Sequence, residues 1–307
     1  MPVQFTVLAS GSRGNATLLR AGGAGLLVDA GLGPRALADR LAGAGAGIGA
    51  GAGIGAGWDG IAAVLLTHTH GDHVNDATLR WMARRGILLY CHEGHRAALA
   101  GAGGFQALER AGGVRLYDDR PFLAPTGMRV EALALSHDGP TFGFRFEGRG
   151  DRRSRPASLG YLADTGCWSV GHVEALADVD LLGVEFNHDV ELQRRSGRSP
   201  ALIARNLGDR GHLSNAQGAG LLAEVLRRSH ATAVRHVVLL HLSQDCNRPE
   251  LALDEARAAV RGAGRRATVL AAGQWAAGPE LRVQPARRHR GAPTAPAGAP
   301  GFPWEAD

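Results

Sequence analysis

Nine short apolar runs recur along this chain, and most of them stop on a turn residue, a histidine or an aspartate. They are VQFTVLA (3–9), GLLVDAG (25–31), AVLLT (63–67), ILLYC (87–91), VEALAL (130–135), TFGFRFE (141–147), LGYLAD (159–164), LLGVEF (181–186) and VVLLHL (237–242). Runs this short bury too little for helices and end where strands end, so each is read as a β-strand. Helical patterns lie between them at 35–42, 75–84, 95–100, 214–228 and 249–261. The best marked is 214–228. There Ser214 and Gln217 form a capping box, and Leu221, Leu222, Val225 and Leu226 share one face. Pro249 suits the first turn of the last helix. The alternation predicts a mixed α/β (α+β) domain.

One domain is expected over 1–285, interrupted by GAGAGIGAGAGIGAG (43–57). That tract has almost nothing to bury and reads as a low-complexity surface insertion. From Ala286 to Asp307 the chain becomes Pro/Ala-rich, a tail without expected structure. Net charge is +5, and all 34 basic residues are arginine, a bias that genome composition explains at least as well as phosphate binding. Cys91, Cys167 and Cys246 are odd in number and lack CxxC spacing, which excludes a disulfide framework or a thiolate zinc knuckle. The first residues, MPVQFTVLASGSRGN, read as a strand and not a signal peptide, and no apolar run approaches a membrane span. The expected setting is the cytoplasm. No oligomeric state can be read from the chain.

The strongest chemical signal is LLTHTHGDHVND (65–76). If His68 and His70 leave a strand end in extended geometry, residues i and i+2 fall on one side and can grip one ion. Asp72 and His73 follow a turn at Gly71 and reach the same ion poorly, which favours a second ion beside the first. Imidazole with carboxylate suits zinc, manganese or iron. Two metals need more ligands, and His137, Asp164 and His241 stand at the ends of three further apolar runs. Asp29, ending GLLVDAG, is expected to brace the metal loop by hydrogen bonds. Gly11-Ser12-Arg13-Gly14-Asn15 lacks the spacing of a P-loop or a dinucleotide fingerprint and reads as a tight turn lining the site.

Together LASGSRGNATLL (8–19), THTHGDH (67–73), SHD (136–138), ADTG (163–166), EFNHDVEL (185–192), GHLSN (211–215) and HLSQDCN (241–247) resemble the signatures of the metallo-β-lactamase-fold hydrolases. The likeness is to the YycJ/WalJ-like subgroup, related to RNase Z-type nucleases. THTHGDH alone marks only the broad superfamily, whereas EFNHDVEL followed by GHLSN is more selective. The resemblance implies an αββα four-layer sandwich. It also implies one metal on His68, His70 and His137, a second on Asp72, His73 and His241, and Asp164 bridging. Zn2+ or Mn2+ is the expected pair. Asp72 and His212 are the expected catalytic residues, His212 as transition-state stabiliser or general acid at a helix mouth that favours anions. The chain departs from the subgroup at Arg198-Ser199-Pro200, where an aromatic residue would precede proline. It also departs at Cys246, where asparagine is expected.

The implied activity is phosphodiester hydrolysis by a metal-bridging hydroxide, as a 5′-to-3′ DNA exonuclease, with DNA favoured over RNA and no membrane partner. Substrate contacts are expected from Asn187, His188, Ser214 and Asn215, and from Arg194, Arg195 and Arg198, which fall between two of the motifs. Arg152, Arg153 and Arg155 read as a solvated loop. The alternatives are hydrolysis of a carbonyl substrate, as in thioesterases or β-lactamases, and a non-catalytic regulatory member of the fold. The first needs no histidine at the GHLSN position, and the second would be expected to have lost ligands.

Overall fold

The computed structural model describes residues 2–45, 57–150 and 155–284. Most of the glycine tract, Arg152, Arg153 and the Pro/Ala-rich tail lie outside the described residues. Two seven-stranded sheets face each other. The first contains β1 (Val3–Ala9), β2 (Ala16–Ala21), β3 (Ala24–Val28), β4 (Ile61–Leu65), β5 (Leu88–His92) and β6 (Val114–Tyr117). The second contains β7 (Phe122–Leu123), β8 (Arg129–Leu135), β9 (Thr141–Glu147), β10 (Ser158–Leu162), β11 (Leu181–Glu185), β12 (His236–Leu240) and β13 (Thr268–Ala271). The last strand, β14 (Leu281–Val283), returns to the edge of the first sheet beside β1.

Both sheets begin as antiparallel meanders and continue as parallel strands, β3 to β6 in one and β10 to β13 in the other. Parallel strands need helical crossovers. These are α1 (Pro34–Gly43), α2 (Asp76–Arg85), the short α3 (Arg96–Leu99) and α4 (Gly103–Arg110) on the first sheet. On the second they are α5 (Val170–Leu176), α6 (Val190–Arg194), α7 (Pro200–Leu207), α8 (Asn215–Arg228) and α9 (Pro249–Gly262).

Because alternate residues point to opposite faces, each central strand feeds two cores. Leu26, Val28 and Leu65 meet Phe144, Leu181, Val238 and Leu240 between the sheets. Leu27 and Val64 instead face Leu37, Leu41, Leu79 and Met82 of the first helical layer. Leu182, Val184 and Leu239 face Leu176, Leu221, Leu222 and Val225 of the second. Strands covered on both faces are near-continuously apolar, which is why they stood out as runs rather than as alternation. The result is an αββα sandwich, as expected.

The nine expected strands and five expected helices are present, with ends displaced by a few residues. The elements not anticipated are short or begin at glycine. The strand ATLLRA lies between Gly14-Asn15 and Gly22-Gly23, and α4 opens GGFQALER. Arg155, expected in a solvated loop, instead donates to the fully buried Asp180 carboxylate at 2.6 Å.

Candidate metal centre

Strands β3 and β4 run parallel, as do β10, β11 and β12, and β8 shares their direction because β9 is antiparallel to both β8 and β10. Their carboxyl ends therefore open on one rim, where open α/β sheets place ligands. Asp29 follows β3, His68 to His73 follow β4, His137 follows β8, Asp164 follows β10, Glu185 ends β11 and His241 follows β12. Three of these residues turn sharply as they leave their strands. Asp29, Asp164 and His241 hold φ values of 62°, 61° and 55°, a region costly for non-glycine residues and common at functional sites.

The motif loop is pinned from below. Asp29 accepts hydrogen bonds from Thr67 N at 2.8 Å and Thr67 Oγ1 at 3.0 Å, and lies 2.7 Å from His73 Nδ1. It braces the loop and does not enter the donor cluster. Asn75 closes the loop by capping α2, accepting from Thr78 N. Gly31 lets the loop approach the end of β3: a Cβ there would stand 1.8 Å from the Asp72 carbonyl oxygen.

Four of the imidazoles use Nδ1 for the protein and turn Nε2 toward the centre, although His73 Nε2 also lies 2.9 Å from the Asn15 amide. Nδ1 of His68 lies 3.0 Å from Thr67 Oγ1, that of His73 2.7 Å from Asp29, and that of His137 3.0 Å from Gly211 O. That of His241 is 3.1 Å from Glu185 Oε1 and also 3.1 Å from Asp164 Oδ1. On the inner side, His73 Nε2 is 3.1 Å from Asp164 Oδ2, and His241 Nε2 is 3.5 Å from Asp72 Oδ2. Such outer contacts orient metal-binding imidazoles.

His68, His70 and His137 form one group whose candidate donor atoms all lie within 4.8 Å of one another, and Asp72, His73 and His241 form another. Asp164 connects them, grouping with His68 and His73 on one side and with His241, Glu185 and His212 on the other. His137 Nε2 is buried without a hydrogen-bond partner, and the buried His241 Nε2 and Asp164 Oδ2 face only other members of the cluster, Asp72 and His73. Orphaned donor atoms of this kind are costly unless something satisfies them. Burial disfavours the Asp164 charge, yet His241 and His73 hold its carboxyl well below the ordinary range. Burial likewise opposes protonation of His241, but Asp164, Asp72 and Glu185 outweigh it and raise the group to about 10. The cluster recruits positive charge, and its imidazole and carboxylate donors fit divalent cations.

Glu185 was not anticipated. Fully buried, it sits 2.9 Å from His212 Nδ1 and accepts from Thr165 N at 2.9 Å. The register that pairs Glu185 with Leu240 sets it beside His241. The signal was a charged residue ending an apolar run, the same signal that had marked Asp164. His212 rests on the rim, its ring 5.0 Å from that of His137 and 5.1 Å from that of His241.

Most of the expected substrate contacts have partners within the protein. Ser214 is buried and spends its hydroxyl on the capping box with Gln217. Asn215 is buried and exchanges amide hydrogen bonds with Asn247. Asn187 donates to the His241 carbonyl at 2.7 Å, and so supports a site residue instead of facing solvent. His188 is fully buried, and burial lowers it to about 4. Arg194 and Arg195 are exposed but pair with Glu191, and Arg198 pairs with Asp245. Two other arginines stand on segments that contact the centre. Arg210 donates Nε–H to the His137 carbonyl at 3.1 Å, and Arg13 projects from the loop whose Asn15 lies 2.9 Å from His73 Nε2. Neither forms a salt bridge among the described residues.

The family profile described as "Beta-lactamase superfamily domain" matches residues 26–242. The chain is 30% identical over 259 residues to Exodeoxyribonuclease WalJ of Streptococcus pneumoniae, covering 81% of this chain and 85% of that protein. Exodeoxyribonuclease YycJ of Bacillus anthracis is also 30% identical, over 82% of this chain and 87% of its own length. Among solved structures, the metallo-β-lactamase fold protein YhfI of Bacillus subtilis superposes with a TM-score of 0.62 at 18% identity, over 92% of this chain and all of YhfI. The short form of human tRNase Z superposes with a TM-score of 0.53 at 20% identity, over 89% and 98% of the respective chains. These two share the fold with this chain.

Proposed function

The chain belongs to the β-lactamase superfamily domain family and is a metal-dependent hydrolase, and on that premise we propose that it is a dinuclear nuclease removing nucleotides from the 5′ end of DNA. The observation that carries the dinuclear reading is Asp164, buried and grouped with donors of both histidine clusters. His68, His70 and His137 would hold one divalent ion, Zn2+ or Mn2+, and Asp72, His73 and His241 the other, with Asp164 between them. When bound, such ions supply Lewis acidity and lower the pKa of water.

The chain's own residues do the rest. Glu185 fixes the His212 ring through Nδ1, so Nε2 is the atom that can give a proton to a departing oxygen or hydrogen-bond a phosphoryl oxygen. Arg210 lies two residues before His212 and has guanidinium N–H groups to spare for phosphate. A carbonyl substrate would need neither group. The DNA preference is supported by the names of the exodeoxyribonuclease relatives, and the polarity by the resemblance of the motif set. Among the described residues no helix is long and apolar enough to cross a membrane.

The test incubates metal-analysed protein with DNA and RNA labelled at either end, single- and double-stranded, beside a chromogenic β-lactam. Mononucleotides released progressively from the 5′ end of DNA are expected. Turnover of the β-lactam without cleavage of any strand would overturn the reading.

A further inference from the structure

We propose that Trp275 and Arg13 form a nucleobase-stacking subsite beside the metal centre, which seats a single-stranded segment of the substrate. This inference rests on the nuclease reading above and extends it to a second contact. Trp275 is 67% exposed, among the few large apolar side chains left in solvent. A single exposed tryptophan needs no explanation on its own. This one, however, carries a guanidinium over its ring, with Arg13 Cζ 5.9 Å from the centroid.

The pair is held by structure that also builds the centre. Gln274, buried beside Trp275, accepts from Arg13 N at 2.9 Å and donates to Gly14 O at 2.9 Å. Arg40 ties the Gln274 carbonyl to that of Leu8. The same loop supplies Ser10 Oγ, which accepts from His241 N at 2.7 Å, and Asn15, which lies 2.9 Å from His73 Nε2. Arg13 is two residues from Asn15, so their Cα atoms stand within about 7.6 Å. The loop thus ties the pair to the centre, and the proposed path of the strand runs from a phosphate at the centre across this pair.

The chemistry matches that occupant. The indole face opposite the guanidinium can stack any base while the guanidinium reaches an adjoining phosphate, the combination used for single strands without sequence preference. Arg13 has no carboxylate partner among the described residues, whereas Arg194 and Arg195 share Glu191 and Arg198 pairs with Asp245. A duplex end would have to fray to place a base on the ring.

The test measures binding in an Asp72→Ala background, which prevents turnover, by anisotropy of a fluorescein-labelled 12-nucleotide DNA strand. Adding Trp275→Ala should weaken binding roughly 5- to 150-fold. On an otherwise identical strand with an abasic residue, scanned through the first four nucleotides, one position should abolish the difference between the two proteins. Arg13→Ala should weaken binding of intact and abasic strands alike, by a factor that shrinks with salt. The proposal is overturned if Trp275→Ala has no effect, or weakens every abasic strand as much as the intact one. Hydrolysis of bis(p-nitrophenyl) phosphate by the unmutated protein is read separately. Diester cleavage with a failed abasic cycle removes only the stacking subsite. A successful cycle without any diester or strand cleavage removes the nuclease reading and keeps the subsite.

Discussion

Glu185 Oε1 stands 2.9 Å from Nδ1 of His212, and the same oxygen is 3.1 Å from Nδ1 of His241. One buried carboxylate thus orients two imidazoles carried by different segments, one on the rim and one at the centre. Glu185→Gln keeps the volume but loses the charge, and should lower metal affinity or turnover roughly 10- to 100-fold. His212→Ala should instead leave metal content intact and lower kcat by roughly 100- to 10,000-fold. Metal analysis alongside steady-state kinetics separates the two. If His212→Ala lost metal as readily as activity, its assignment to the chemistry would fail.

Asp164 is the residue on which the two donor groups depend jointly. Asp164→Ala should empty both positions, measured as metal per chain after dialysis, with the fold checked by circular dichroism. A variant that keeps two equivalents of metal and full turnover contradicts the bridging role.

Close approach at Gly31 gives a steric prediction. Because a Cβ would meet the Asp72 carbonyl oxygen at 1.8 Å and His73 N at 2.9 Å, Gly31→Ala must displace the metal loop or the end of β3. The expected cost is about 1–3 kcal/mol of stability, accompanied by lower metal occupancy. Chemical denaturation and metal analysis read both, and an unchanged protein would mean the two segments are not held this tightly.

His95 offers a pH prediction away from the metals. It is buried, its Nδ1 accepts from His92 N, and its Nε2 lies 3.0 Å from Pro140 O. Burial lowers it from 6.5 to about 4. Between those values the unfolded chain binds a proton that the folded one does not, so unfolding becomes easier as pH falls. Its contribution is whole above pH 6.5 and is lost progressively toward pH 4, by about 3 kcal/mol in all. His95→Gln should flatten this dependence, seen as a smaller drop in urea midpoint between pH 7.5 and 5 for metal-loaded variant than for parent. Parallel profiles would refute it.

Much of the donor set was legible because parallel strands deliver their carboxyl ends to one rim, and a polar residue ending an apolar run is visible without any structure. Glu185 obeyed that rule at the end of LLGVEF and went unread. The arginines divide differently. The pairing of Arg194 and Arg195 with Glu191 is a one-turn helical spacing and could have been read from the chain. That of Arg198 with Asp245 spans 47 residues and could not.

By itself, the sequence determined the order of strands and helices and which side chains crowd at the strand ends, since both follow from local periodicity and chain neighbours. Tertiary structure alone decided which nitrogen of each imidazole faces inward, that Arg198 pairs with Asp245, and that Trp275 meets Arg13 across 262 residues. Those outcomes depend on how two sheets pack face to face, because only that packing brings segments remote in sequence within hydrogen-bonding distance.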